Sequence, residues 1–162
     1  MAHVDYFLKL DGVDGESGDA KHKNEIDLES WSWGETNSGG FSYGGGGGAG
    51  KVQMQDFHFT MKANKASPKL FLNCATGEHI AKGVLTCRKA GGEQQEFLIV
   101  TMTDLLVSSF QTGGSGHGDV VPVDQISLNF AKIQWKYQAQ DAKGKVGSPI
   151  ITGYDLKANK KI

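Results

Sequence analysis

Proline is nearly missing from this 162-residue chain, with 3 copies, and cysteine is scarcer still, with 2. Cys74 and Cys87 form no C-x-x-C pair and are too few for a disulfide framework. Both are expected to be reduced, buried, small apolar groups. No apolar run approaches the length of a membrane span. There is no excess of charge: charged residues make up 22% and the net charge is −1. That balance gives no pull toward nucleic acid or an anionic membrane, so neither partner is expected. The opening Met1-Ala2-His3-Val4-Asp5 lacks the basic and apolar regions of a secretory signal. Any release from the cell is therefore expected to bypass the general secretory route. With no internal repeat and no linker, the length suits one domain over residues 1–162.

Catalytic and metal-binding patterns are missing as well. His3, His22, His58, His79 and His117 show no metal spacing such as H-E-x-x-H and read as scattered. Ser115 and His117 share a polar glycine-rich loop without the strand-elbow-helix context of a nucleophile. Gly45 to Lys51 fits the phosphate-loop pattern G-x-x-x-x-G-K, and Gly45, Gly47 and Gly50 fit G-x-G-x-x-G. Both patterns need a helix after the glycines. Val52-Gln53-Met54-Gln55 alternates as a strand instead, and Val52 stands where magnesium needs Ser or Thr. No enzyme activity, metal or cofactor is expected.

What the chain does have is period-two alternation. Val4, Tyr6, Leu8 and Leu10 read as a first strand, followed by a polar loop from Gly12 to Asn24. The alternation slips by one residue in three places: Leu28 to Trp31, Met54 to Phe57, and Phe130 to Ile133. A β-bulge absorbs such a slip and bends the strand, so three of them suggest a curved sheet closing toward a barrel. Further strands are expected near 79–89, 95–111, 120–138 and 149–157. Phe97 to Val100 is apolar on both faces, which suits a central strand under the helix or one covered by a neighbouring subunit. One helix is predicted, with Ser67 as its cap, Pro68 in its first turn and Gly77 at its end. Leu70, Phe71, Cys74 and Ala75 would form its buried face. The fold class is all-β: a curved two-sheet barrel with one short flanking α-helix.

Trp31 and Trp33, at spacing two, share one strand face, and continuity with Ile26 and Leu28 makes that face the core. Stacking on a ligand, as in a sugar-binding module, is the alternative. Ser32 must then point the opposite way. Glycine is the abundant residue, at 23 copies, and it is clustered. The run Gly44, Gly45, Gly46, Gly47, Gly48 and Gly50 is costly to order, because glycine loses the most backbone freedom on folding. Such a run makes sense where backbone approaches backbone in an assembly. Residues 42–55 are therefore expected to reach an adjoining protomer.

Several of these segments together resemble one family. Gly15-Glu16-Ser17, Glu25-Ile26-Asp27 and Trp31-Ser32-Trp33-Gly34 are similar to the opening of the haemolysin-coregulated proteins, Hcp, of type VI secretion. The glycine run through Lys51-Val52, Arg88-Lys89-Ala90-Gly91-Gly92-Glu93, Val107-Ser108-Ser109 and Thr112-Gly113-Gly114-Ser115-Gly116 continue the likeness. Leu128-Asn129-Phe130-Ala131 and Tyr137 complete it, and it is weaker over Glu35–Tyr43 and Asp141–Ile162. The resemblance implies a homohexameric ring, rings stacked into a hollow tube, a contractile sheath that drives the tube outward, and a spike protein at its tip. It implies small effector proteins carried in the lumen, and a protein that is cytoplasmic before firing and then secreted to the extracellular space or a target cell. In such a ring Ser32 would line the lumen and hold cargo. Gly44, Gly45, Gly46, Gly47, Gly48, Gly50 and Lys51 would lie at the oligomer interface. A phage-like tail-tube subunit would share these mechanics, and a ligand-binding β-module is the reading from a different class.

Overall fold

The computed structural model describes residues 3–39, 50–90, 94–118, 120–141, 143 and 145–162. In chain order the strands are β1 (Val4–Leu10), β2 (Ile26–Asp27), β3 (Ser30–Ser32), β4 (Glu35–Asn37), β5 (Val52–Met54) and β6 (Phe57–Lys62). Helix α1 (Ser67–Thr76) follows, then β7 (His79–Lys89), β8 (Glu96–Gly113), β9 (Val123–Tyr137), β10 (Ile150–Asp155) and β11 (Lys160–Lys161). These strands pair antiparallel throughout, and the main sheet runs β11-β10-β9-β8-β7-β1-β2. Strand β6 lies between β3 and the first half of β9. A separate two-stranded ribbon is formed by β4 and β5.

The sheet curls because the core demands it. Leu8, Ile26, Phe57, Met61, Leu70, Leu85, Met102, Leu105 and Leu128 are all fully buried in one core. Each such side chain contributes roughly 1.5–3 kcal/mol on leaving water. Among the described residues no ladder closes the barrel between β1 and β6. The chain itself turns that corner: Leu28 donates its N–H to the Tyr6 carbonyl at 3.0 Å, and Glu29 donates to the Thr60 carbonyl at 2.9 Å. The fold is thus a curved, incompletely closed all-β barrel with one short helix.

The three slips in period two have different causes, and none coincides with a register shift in the ladders. Between Leu28 and Trp31 the chain leaves β1's edge as β2 and joins β6 as β3. Between Met54 and Phe57 it leaves the ribbon and enters the barrel. Both are changes of partner strand, not bulges within one strand. At Phe130 to Ile133 strand β9 stays continuous. There one edge of β9 passes from β6, which pairs Val123 to Leu128, to β10, which pairs Lys132 to Tyr137. The register of β8 against β9 is unbroken from Met102↔Ile133 to Val107↔Leu128 and shifts only beyond it, between Val107 and Ser109, while Asp104 on β8 takes a positive φ of 57°. Phe130 and Ala131 are both buried.

Helix α1 also departs from expectation at one end. Gly77, with φ 71°, ends it and donates its N–H to the Asn73 carbonyl at 2.9 Å, as a left-handed cap should. Ser67, however, is not the cap: Ala66 holds that position and no side chain caps the helix. The Ser67 hydroxyl is engaged elsewhere, donating to the buried carboxylate of Asp124 at 2.6 Å. The buried face is Leu70 and Asn73 with half-buried Cys74, whereas Phe71 is 59% exposed and Ala75 is exposed. Phe71 still touches the sheet edge-on through Phe110 of β8. The run from Phe97 to Val100 does lie on a central strand, with Leu98 and Val100 buried and Phe97 and Ile99 half-buried.

Candidate functional site

Three places bring functional side chains together. The first surrounds Ser32. Trp31 is half-buried, stacked on Phe57 with ring centroids 5.9 Å apart, and Trp33 rests against Phe130 and Trp135. Both tryptophans pack against the core, and Trp33 also lines the cleft described below. Ser32, between them, is exposed on the opposite face and pairs with His58 of β6. Around it lies an open groove of about 700 Å³. Its hydroxyls come from Ser30, Ser32, Thr60, Ser109 and Ser127, and its amides from Gln111 and Gln125. These groups bond to one another: Ser30 to Thr60 at 2.5 Å, and His58 Nδ1 to the Ser127 hydroxyl at 2.6 Å. Among the described residues no Asp, Glu, Lys or Arg lines it.

Alternation puts Ser32 on an exposed face, where the structure has it, but does not name the residues beside it. Alternation assigns each residue a face, yet it does not say which strands lie side by side. The pairings Ser32↔His58↔Ser127↔Ser109 come from register alone.

The second place is a cleft between the ribbon and the outer end of the sheet, about 750 Å³ in volume. The aromatic side chains of Trp33, Trp135 and Tyr154 line it, with Met54 and Val52 of β5 opposite. Lys51 and Gly50 also line it. Of the glycines predicted for an interface, Gly44, Gly45, Gly46, Gly47 and Gly48 lie outside the described residues. Gly50 has a local reason for being glycine. A Cβ there would collide with the carbonyl and hydroxyl of Ser38 in its own chain. Asn37 fixes the same turn by donating its amide to the Gly50 carbonyl at 2.8 Å.

The third place is a charged cluster against β1. Arg88, 2% exposed, donates two bonds to Asp19, at 3.0 and 2.6 Å, and one to Asp5 at 3.0 Å. Its guanidinium lies 4.8 Å from the Phe7 ring centre, a cation–π distance. The bonds from Arg88 pull the Asp19 carboxyl down to about 2 and raise the guanidinium further. His22 is buried beside them, stacked on Phe7 at 4.3 Å, with Nδ1 2.8 Å from Glu25 and Nε2 2.7 Å from Glu96. His22, His58 and His79 each have a defined hydrogen-bond partner, in three different places. The cluster ties the loop after β1 to β7 and β8, a structural task. Burial pushes the Cys87 thiol up to about 12, which makes it inert, while Cys74 is only half-buried. Among the described residues no group of three or more His, Cys, Asp or Glu could hold a metal ion. No helix among them is long and apolar enough to cross a membrane.

A barrel with an uncharged outer groove and a separate two-stranded ribbon matches known proteins along most of its length. Residues 7–137 match the family described as "Type VI secretion system effector, Hcp". The chain belongs to the Hcp family. It is 52% identical over 158 residues to Protein hcp1 of Pseudomonas aeruginosa, covering 96% of this chain and 97% of that one. The crystal structure of Hcp1 from Salmonella typhimurium superimposes with a TM-score of 0.81 at 38% identity, covering 99% of this chain and 100% of that one. The structure of a type six secretion system protein superimposes with a TM-score of 0.93 at 33% identity, over 99% of this chain and 100% of that one. A type VI secretion system effector from Yersinia pestis reaches 0.76 at 32% identity, over 93% of this chain and 99% of that one. As an Hcp protein the chain is a component of type VI secretion, and Hcp proteins are not a known enzyme family.

Proposed function

We propose that this Hcp chain acts as one domain and works by polymerising. Six copies form a ring, and rings stack into a tube. A contractile sheath drives that tube out of the cytoplasm behind a spike protein, with small effectors in the lumen. The observation that carries the reading is the surface around Ser32. A conduit for cargo needs a wall that holds a guest without trapping it. Exposed hydroxyls and amides offer many weak, exchangeable hydrogen bonds, each worth only about 0.5–1.5 kcal/mol net. A wall of fixed charge would bind opposite charges tightly and repel like ones. Lys51 and Gly50, at the foot of the glycine run, suit the side of the molecule that meets a neighbour.

On this reading Ser32→Gln adds polar bulk to the lumen without touching the core. Rings should form as before, and a small effector co-expressed with the protein should no longer co-purify. Equal recovery of effector with the Ser32→Gln variant would show that Ser32 does not face the cargo.

A further inference from the structure

The groove around Ser32 is built from two rows of outward-facing side chains that cross four strands. One row runs Ser32, His58, Ser127, Ser109, and the row beside it runs from Ser30 through Thr60 and Gln125 to Gln111. Neighbouring strands stand about 4.8 Å apart, so the two rows form a continuous wall. Every side chain in them carries a hydroxyl or an amide except one: His58, exposed within the first row.

The surroundings of His58 accommodate either charge state. Its Nδ1 lies 2.6 Å from the Ser127 hydroxyl. A hydroxyl both donates and accepts, so it can meet a bare Nδ1 or a protonated one. Among the described residues Nε2 has no hydrogen-bond partner, and the ring lines the open groove. No charged side chain faces it from β3, β8 or β9, which present only the serines, the threonine's neighbours and the glutamines of the two rows. Next to β6 itself Asp56 has its two oxygens taken, one by Ser108 at 2.6 Å and one by Asn129 at 2.9 Å. Lys62, at the far end of β6, lines a different hollow. His22 and His79 differ from His58 in this respect. Both face carboxylates, His22 those of Glu25 and Glu96 and His79 that of Asp104, so a proton gained there is balanced on the spot.

We propose that His58 sets which charge of cargo the groove accepts, and that its protonated form selects an acidic polypeptide segment. The proposal rests on the lumen reading and deepens it. Histidine is the side chain whose charge changes between about pH 5 and 8. With His58 neutral, the wall discriminates little by charge. With His58 protonated, it carries one cation per subunit, repeated around the bore and unopposed within the groove. Charges of one sign lining a concave surface reinforce one another's field. An acidic segment is then held more tightly and a basic one less.

The test uses the assembled protein at low salt, where exposed charges are least screened. Rhodamine-labelled hexa-aspartate and hexa-arginine peptides are titrated by fluorescence anisotropy at about pH 8 and about pH 5.5. The parent should bind hexa-aspartate about threefold more tightly at the lower pH, the scale of an exposed ion pair, and hexa-arginine correspondingly less. His58→Gln, checked for folding by circular dichroism, should bind each peptide equally at both pH values. His58→Arg should hold hexa-aspartate tightly at both. His79→Gln, outside the groove, should keep the parent's response. A His58→Gln or His58→Arg protein that keeps the parent's full pH response would overturn the proposal. So would a response lost equally in His79→Gln, or a parent that shows none. Any of these results together with a Ser32→Gln variant that loses its effector leaves the lumen reading standing and sinks the role of His58 alone. An effector retained by Ser32→Gln overturns the lumen reading and this proposal with it.

Discussion

Arg88 is a charged side chain held in the interior by geometry. A guanidinium offers a planar fork, and Asp19 meets it with both carboxylate oxygens. Its place on β7 could not be read from alternation, since Thr86, Cys87 and Arg88 are all buried in succession. The register between β7 and β8 shifts at Cys87 and Arg88, and the loop carrying Asp19 covers what would otherwise face water. The bond from Arg88 holds Asp19 near 2, below its ordinary value of 3.8. A carboxyl lowered on folding adds stability that is whole above about pH 4 and is lost as pH falls toward about 2. Asp19→Asn should therefore melt at a lower temperature than the parent at neutral pH. The difference should shrink across that acid window. Melting curves by circular dichroism at several pH values check this; a difference that stays constant down to about pH 2 would contradict the assignment.

At the scale of elements, the helix shows where sequence patterns lose precision. Helical spacing places Leu70 and Phe71 together on a buried face, but two adjacent residues are about 100° apart around the axis. The core accepts Leu70 and the small amide of Asn73, leaving Phe71 against the rim. Leu70→Ala should cost about 2–5 kcal/mol, as for other buried leucines. Phe71→Ala should cost about 1 kcal/mol, mostly for the contact with Phe110. Urea denaturation distinguishes the two, and equal losses would restore the face that spacing predicts. The strands are legible nearly throughout, because half-buried sheets must alternate. The slips are legible as events and not as mechanisms. A period change looks the same whether a strand bulges, changes partner or passes from one neighbour to another.

For the whole molecule, the all-β barrel is readable from alternation, and the family from short segments spread in order along the chain. Which surfaces face outward together is not readable. The groove at Ser32 draws on β3, β6, β8 and β9, and the cleft on β4, β5, β9 and β10, strands far apart in sequence. Only register and curvature unite them. On the proposed reading the groove at Ser32 is an uncharged wall toward a lumen. The most direct measurement is negative-stain electron microscopy of the purified protein at high micromolar concentration. Closed rings with six-fold symmetry and a central hole, some stacked end to end, are the predicted result. Fields of single globular particles, matched by a monomeric mass in light scattering, would contradict it.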